Sequence, residues 1–138
     1  MNPTYERYWG GPNKMYSERL GKRYVETNKF REIIDSGLTL CGGSDSDVCD
    51  YNPFVGIHSA VNHPVKKHRI SLYEAIKMYT INGAYAIFEE NNKGSLEIGK
   101  LADIIILDRD IFEIDTESID EVKVLCTIKS GKILYNTI

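Results

Sequence analysis

Cysteine is scarce in this 138-residue chain, and the few that occur do not suggest pairing. Cys41, Cys49 and Cys126 are odd in number and form no CxxC pair, which argues against a disulfide framework and against a structural zinc knot. They read as reduced, partly buried thiols packing as small apolar groups. Positive charge is not in excess either. Seventeen Lys and Arg against 20 Asp and Glu leave a net charge of −3, so the basic footprint of a nucleic-acid binder is missing. No apolar run approaches the roughly 20 residues of a membrane-spanning helix. The opening MNPTYERYWGG lacks the apolar stretch of a secretory signal, and the expectation is a cytoplasmic protein. GxSxG and GxxxxGK[ST] are also absent, which excludes a nucleophile elbow and a phosphate loop of those types.

What remains is an ordinary soluble mixture, 42% hydrophobic and 27% charged, long enough for one compact domain or for pieces of two. Residues 1–15 carry Tyr5, Tyr8, Trp9, Gly10, Gly11 and Pro12 and read as a loop packed by its own rings. Residues 16–35 are helix-compatible but broken at Gly21. Asn28 can cap a short helix bearing Phe30, Ile33 and Ile34, with Gly37 as its stop. Residues 38–41, LTLC, read as a strand, and residues 54–62 as a short helix ending before Pro64. Residues 63–69, HPVKKHR, read as a polar loop. Ser71 and Glu74 form a capping box in front of a helix with Leu72, Ala75, Ile76, Tyr79, Ala84 and Ile87 on one face, expected to reach about Phe88.

Beyond residue 93 the character changes. Residues 94–100 are turn chemistry around a short strand, and residues 103–108, DIIILD, an apolar strand whose two faces should both be covered. Residues 122–129 and 133–135 read as a hairpin around Ser130 and Gly131. The last 45 residues thus form a small β unit.

Residues 42–50, GGSDSDVCD, hold the candidate chemistry. Asp45 has two readings. It can cap backbone N–H groups in a turn. Alternatively, at the C-terminal end of a parallel barrel strand it can act as a proton acceptor in the active-site mouth. Asp47 and Asp50 lack the spacing and glycine of a calcium loop and read as solvated carboxylates. His58, His63 and His68 stand five apart, off the i, i+4 pairing of helical zinc ligands, with Pro64 between them.

GSDSDV, PFVGIHSAVNHP, YTINGAYA, GSLEIGKLADIIILD and VLCTIKSGKILY together resemble the C-terminal part of the amidohydrolase superfamily. More narrowly they resemble its amidohydrolase-3, YtcJ-like metal-dependent hydrolases, including the exoenzyme regulatory protein group. The resemblance implies an α/β chain that is the C-terminal fragment of a (β/α)8 TIM barrel with part of a small β-sandwich, divided as residues 1–93 and 94–138. It implies that residues 38–41 are the eighth barrel strand and that Asp45 is the general base and, in many members, a metal ligand. Trp9 and Ser46 become substrate-lining candidates.

The family's HxH and later histidines would lie before Met1, and Asp45 would join a divalent metal, zinc in the family, only with their help. Residues 1–5 resemble the end of the sixth strand, where many relatives carry histidine; here Tyr5 stands closest. The expectation is therefore a parent enzyme that hydrolyses amide or cyclic-amide C–N bonds of a small molecule. This chain alone is expected to hold no metal, to be inactive and to self-associate as a homo-oligomer. The alternative is a non-catalytic structural or regulatory interaction module.

Overall fold

The computed structural model describes residues 1–138. Its helical part contains α1 (Thr4–Trp9), α2 (Met15–Leu20), α3 (Phe30–Asp35), α4 (Pro53–Val61), α5 (Leu72–Tyr79) and α6 (Ile81–Tyr85). Three-residue-per-turn helices at Gly21–Glu26, Lys66–His68 and Thr116–Glu121 complete it. The sheet is a meander, β1 (Ile104–Leu107), β2 (Val124–Lys129) and β3 (Lys132–Asn136), antiparallel throughout in the order β1-β2-β3. No helix is long and apolar enough to cross a membrane.

Local chemistry accounts for most element ends. Asn52 caps α4 by accepting the Phe54 N–H at 3.0 Å, and Pro53 follows as the first helical residue. The Ser71–Glu74 capping box is formed as expected: the Ser71 hydroxyl accepts the Glu74 N–H at 3.2 Å and Glu74 accepts the Ser71 N–H at 2.8 Å. Gly37 follows α3 at φ +83°. Ser130 and Gly131, both at positive φ, turn β2 into β3.

Several expectations are corrected. Residues 1–15 are not all loop, because α1 puts Tyr5, Tyr8 and Trp9 at helical spacing with the Tyr5 and Trp9 rings 4.6 Å apart. Asn28 does not cap α3. It sits at φ +43° and sends its amide to Glu6 Oε1 at 2.5 Å. The helix after Ser71 breaks at Thr80, whose hydroxyl donates back to the Ile76 carbonyl at 2.9 Å. It ends at Tyr85, short of Phe88.

Residues 94–100 contain turns and no strand. β1 is an edge strand with Ile105 and Ile106 exposed, so its faces are not both covered. The polar loop expected at residues 63–69 contains a single turn of helix at Lys66–His68 and carries two fully buried side chains, His63 and His68.

Residues 38–41 form no strand of the sheet. The Met1 amino group donates to the Cys41 carbonyl at 2.7 Å, and the Gly43 N–H donates to the Met1 carbonyl at 2.8 Å. That pair is a single parallel bridge between Met1 and Gly42. With one short extended neighbour and no other, the segment lacks the ladder that would make it a strand.

The core joins the two halves of the chain. Phe30, Leu40, Phe54, Ile57, Ala60, Val61, Ile70, Ala75 and Met78 from the helical part pack with Ile111, Ile119 and Val122 from the stretch between β1 and β2. Ile119, fully buried, docks the Thr116–Glu121 turn against α4. The signal for this docking, Ile111, Ile114, Ile119 and Val122 scattered among acidic residues, has no periodicity to expose it in the sequence.

Candidate functional site

The segment bearing Asp45 is held from behind by the break between α5 and α6. The Gly42 N–H donates to the Met78 carbonyl at 3.0 Å, and the Asn82 amide donates to the Leu40 carbonyl at 2.8 Å. The phenol end of Tyr79 packs against two glycines. A Cβ on Gly42 would come within 2.7 Å of the ring, and one on Gly56 within 1.9 Å of the phenol oxygen. Glycine at both positions is therefore a condition for the close approach of three segments. Burial pushes the Tyr79 phenol up to about 12, the Thr4 hydroxyl opposing slightly. YTINGAYA thus acts as a clamp on the stretch that leads into Asp45.

Asp45 itself is solvent-exposed and adopts φ +56°, a left-handed conformation that Asp tolerates better than most residues. Its carbonyl accepts the Val48 N–H at 2.7 Å, and its carboxylate Oδ2 accepts the Tyr5 hydroxyl. That hydrogen bond, with the nearby negative charge, raises the Tyr5 phenol above its usual value. Cys49, beside the same carboxylate, is raised mainly by burial and secondarily by the Asp45 charge.

A cleft of about 930 Å³ opens next to this pair. Trp9 and Ser46, the two substrate-lining candidates, both line it, with Tyr8, Val48, Tyr51 and Pro53. Asp45 is not among the lining residues; it is joined to the cleft through Ser46 in the chain and through Tyr5, whose ring packs on Trp9.

The histidines lie elsewhere. His58 meets Arg7 at 3.0 Å through Nδ1, while Arg7 pairs with Asp120 at 2.5 Å. His63 and His68 form a buried cluster with Phe30 and Glu6. The His63 and His68 rings are 5.3 Å apart, and His63 Nε2 is 3.5 Å from Glu6 Oε2. Glu6 is 1% exposed. Burial pushes its carboxyl up, but the adjacent His63, the Asn28 amide and the neighbouring Thr27 side chain outweigh that and hold it below the ordinary glutamate value. Sequence reasoning missed this cluster; the one available signal was a glutamate followed four residues on by Gly10, where a Cβ would strike the Glu6 carboxylate at 1.9 Å.

The test for a metal is the donor set. No three His, Cys, Asp or Glu side chains of the chain converge on one point, and one oxygen of Asp45 is engaged by Tyr5. A catalytic zinc usually takes three protein ligands, so the residues present do not make a metal site by themselves.

Residues 5–135 match the amidohydrolase family, and the chain belongs to that family. It is 33% identical over 129 residues to YtcJ of Bacillus subtilis (strain 168), covering 86% of this chain and 24% of that protein. It is 29% identical over 141 residues to an N-substituted formamide deformylase of Arthrobacter pascens, covering 97% of this chain and 26% of the deformylase. Among solved structures, an uncharacterized metal-dependent hydrolase from Pyrococcus furiosus superposes with a TM-score of 0.65 at 30% identity, over 79% of this chain and 23% of that one. The chain therefore spans about a quarter of the length of the curated relatives it matches.

Proposed function

We propose that this chain supplies the C-terminal quarter of a metal-dependent C–N hydrolase, with Asp45 as the proton-relaying carboxylate. In this reading residues 1–93 belong to a (β/α)8 barrel and residues 94–138 to a small β-sandwich. The parallel bridge between Met1 and Gly42 supports a barrel, since parallel neighbours need a crossover and α2 and α3 provide one. It also favours residues 1–5 as the end of the strand adjacent to the eighth, the seventh, rather than the sixth.

The observation that carries the functional reading is the placement of Asp45. It is exposed, it follows an extended stretch clamped from behind, and its carboxylate meets a phenol beside an open cleft. A carboxylate so placed can take a proton from the attacking water and pass it to the leaving nitrogen, so that the C–N bond breaks as a C–O bond forms. The divalent metal of the family, zinc in this reading, would be held by histidines that are not among these residues, with Asp45 joining them. Trp9 and Ser46 would face a small-molecule substrate. The two-thirds-exposed Ile133 and Leu134 of β3 favour self-association of the chain, and they favour the second reading, a structural or regulatory module that binds through its sheet.

A chimera decides between them. The matched quarter of the Arthrobacter deformylase is replaced by this chain, and formate release and zinc content are measured. The expected result is turnover that falls at least about a hundredfold in Asp45→Asn. A folded, zinc-loaded chimera whose turnover ignores Asp45→Asn sinks the catalytic reading.

A further inference from the structure

The cleft beside Asp45 has a chemical bias that water activation does not require. Tyr8, Trp9 and Tyr51 bring three aromatic rings to it, and Asp47 and Asp50 bring two carboxylates. No Lys, Arg or His lines it. Neither carboxylate is neutralised by a cation of the chain. Asp47 Oδ1 accepts the Ser46 hydroxyl at 3.2 Å, and Asp50 Oδ1 accepts the Asn52 N–H at 2.8 Å. The second oxygen of each has no protein donor. The indole of Trp9 is braced by Tyr5 on one side and Tyr16 on another, with ring centroids at 4.6 and 6.3 Å, so its position is set before any ligand arrives.

Such a wall attracts a group that is both planar and positively charged. Aromatic rings offer their faces to another ring or to a cation, and unpaired carboxylates beside them favour an ammonium and disfavour a second carboxylate. Hydrolysis of an amide gives an acid and an amine, and at neutral pH an alkyl amine carries a proton. We propose that this cleft binds an aryl-alkyl amine, held as its ammonium by Asp47 and Asp50 with its ring against Trp9, and that this is the amine released once the C–N bond has broken. Naming the cation as the leaving amine rests on the proposed C–N hydrolysis; the binding preference does not.

The chain contains a single tryptophan, so one indole N–H resonance reports the cleft directly. The chain is titrated with phenethylammonium and, separately, with phenylacetate, its anionic counterpart of similar size. The expected result is a saturable shift of the Trp9 indole signal with the ammonium and at least about tenfold weaker binding of the carboxylate. Asp47→Asn combined with Asp50→Asn, a change that keeps an acceptor oxygen at each turn, is expected to weaken the ammonium by a similar factor. Should that variant fail to fold, the two probes on the unchanged chain still decide.

Equal binding of both probes, or no saturable shift, overturns the proposal. Asp45→Asn is expected to leave ammonium binding in place; its loss would move the cation to Asp45 and also overturn the assignment. Turnover that survives Asp45→Asn in the chimera would sink the hydrolytic reading while leaving the cation preference of the cleft standing.

Discussion

The helical part and the sheet of this molecule solve burial in opposite ways. The helices surround Phe30, Met78 and Ala75, all fully buried, and draw in polar groups such as Glu6, His63 and His68 with partners for most of them. The sheet completes its backbone ladder, yet every residue of β3 is exposed and apolar side chains of β1 remain in solvent. Backbone hydrogen bonding and side-chain burial are thus separable. The first is met along the two seams of a three-stranded meander, its outer edges aside, while the second needs another layer over the sheet. The candidate site belongs to the side that is already packed. Its supports, Met78, Tyr79 and Asn82 behind Leu40 and Gly42, sit next to the dense core and do not depend on the sheet.

The sharpest test of this contrast is Phe30→Ala. Phe30 is 0% exposed and touches the His63 ring edge-on at 5.6 Å. Its truncation is expected to cost about 3–5 kcal/mol, measured by urea denaturation. A cost below about 1 kcal/mol would mean that the helical layer is no better packed than the sheet.

Gly56→Ala comes next, with an expected loss of about 1–3 kcal/mol from overpacking, because the new methyl would meet the Tyr79 oxygen at 1.9 Å. Tyr79→Phe removes that oxygen, and the double variant should recover part of the loss. Additive costs would remove Tyr79 from its role as the clamp on the Asp45 segment.

Much of this arrangement is legible from local chemistry. The capping box at Ser71, the hairpin at Ser130–Gly131 and the stop at Gly37 depend on neighbours within a few residues, and each forms as read. Asp45, Trp9 and Ser46 are named by motif and by resemblance, and the structure brings Trp9 and Ser46 into one cleft with Asp45 tied to it through Tyr5. What escapes the sequence is set by distant partners. The strand at residues 38–41 fails because only Met1 lies beside it. The helix after Ser71 breaks where Asn82 turns to reach Leu40. The burial of His63 and His68 inside what reads as a polar loop escapes too, because nothing local reveals that Glu6 and the Val25 carbonyl await them.

That buried polar cluster gives a smaller, pH-dependent effect. The Glu6 carboxyl lies below the ordinary value of 4.5 in the folded chain. Its contribution to stability is therefore complete above that value and is lost as pH falls through the lower, folded one. Thermal unfolding followed from pH 7 down to pH 3 should show a decline that Glu6→Gln flattens. The effect is limited because a protonated Glu6 can keep the Asn28 amide as a donor. An unchanged acid profile in Glu6→Gln would show that other carboxylates with lowered values, such as Glu74 and Asp108, carry the decline instead.

The smallest expected change in stability belongs to the sheet, and it completes the comparison. Leu134 is 65% exposed in an edge strand, so Leu134→Thr removes little buried apolar area and introduces a β-branched residue suited to a strand. Its cost should fall within about 0.5 kcal/mol. The same substitution removes part of an exposed apolar face, and such faces drive association. Sedimentation at increasing concentration is therefore expected to show a shift of the variant toward monomer, with its unfolding midpoint unchanged. A large loss of stability without any change in association would mean that the sheet face is already covered within the chain, and the distinction between the two layers would disappear.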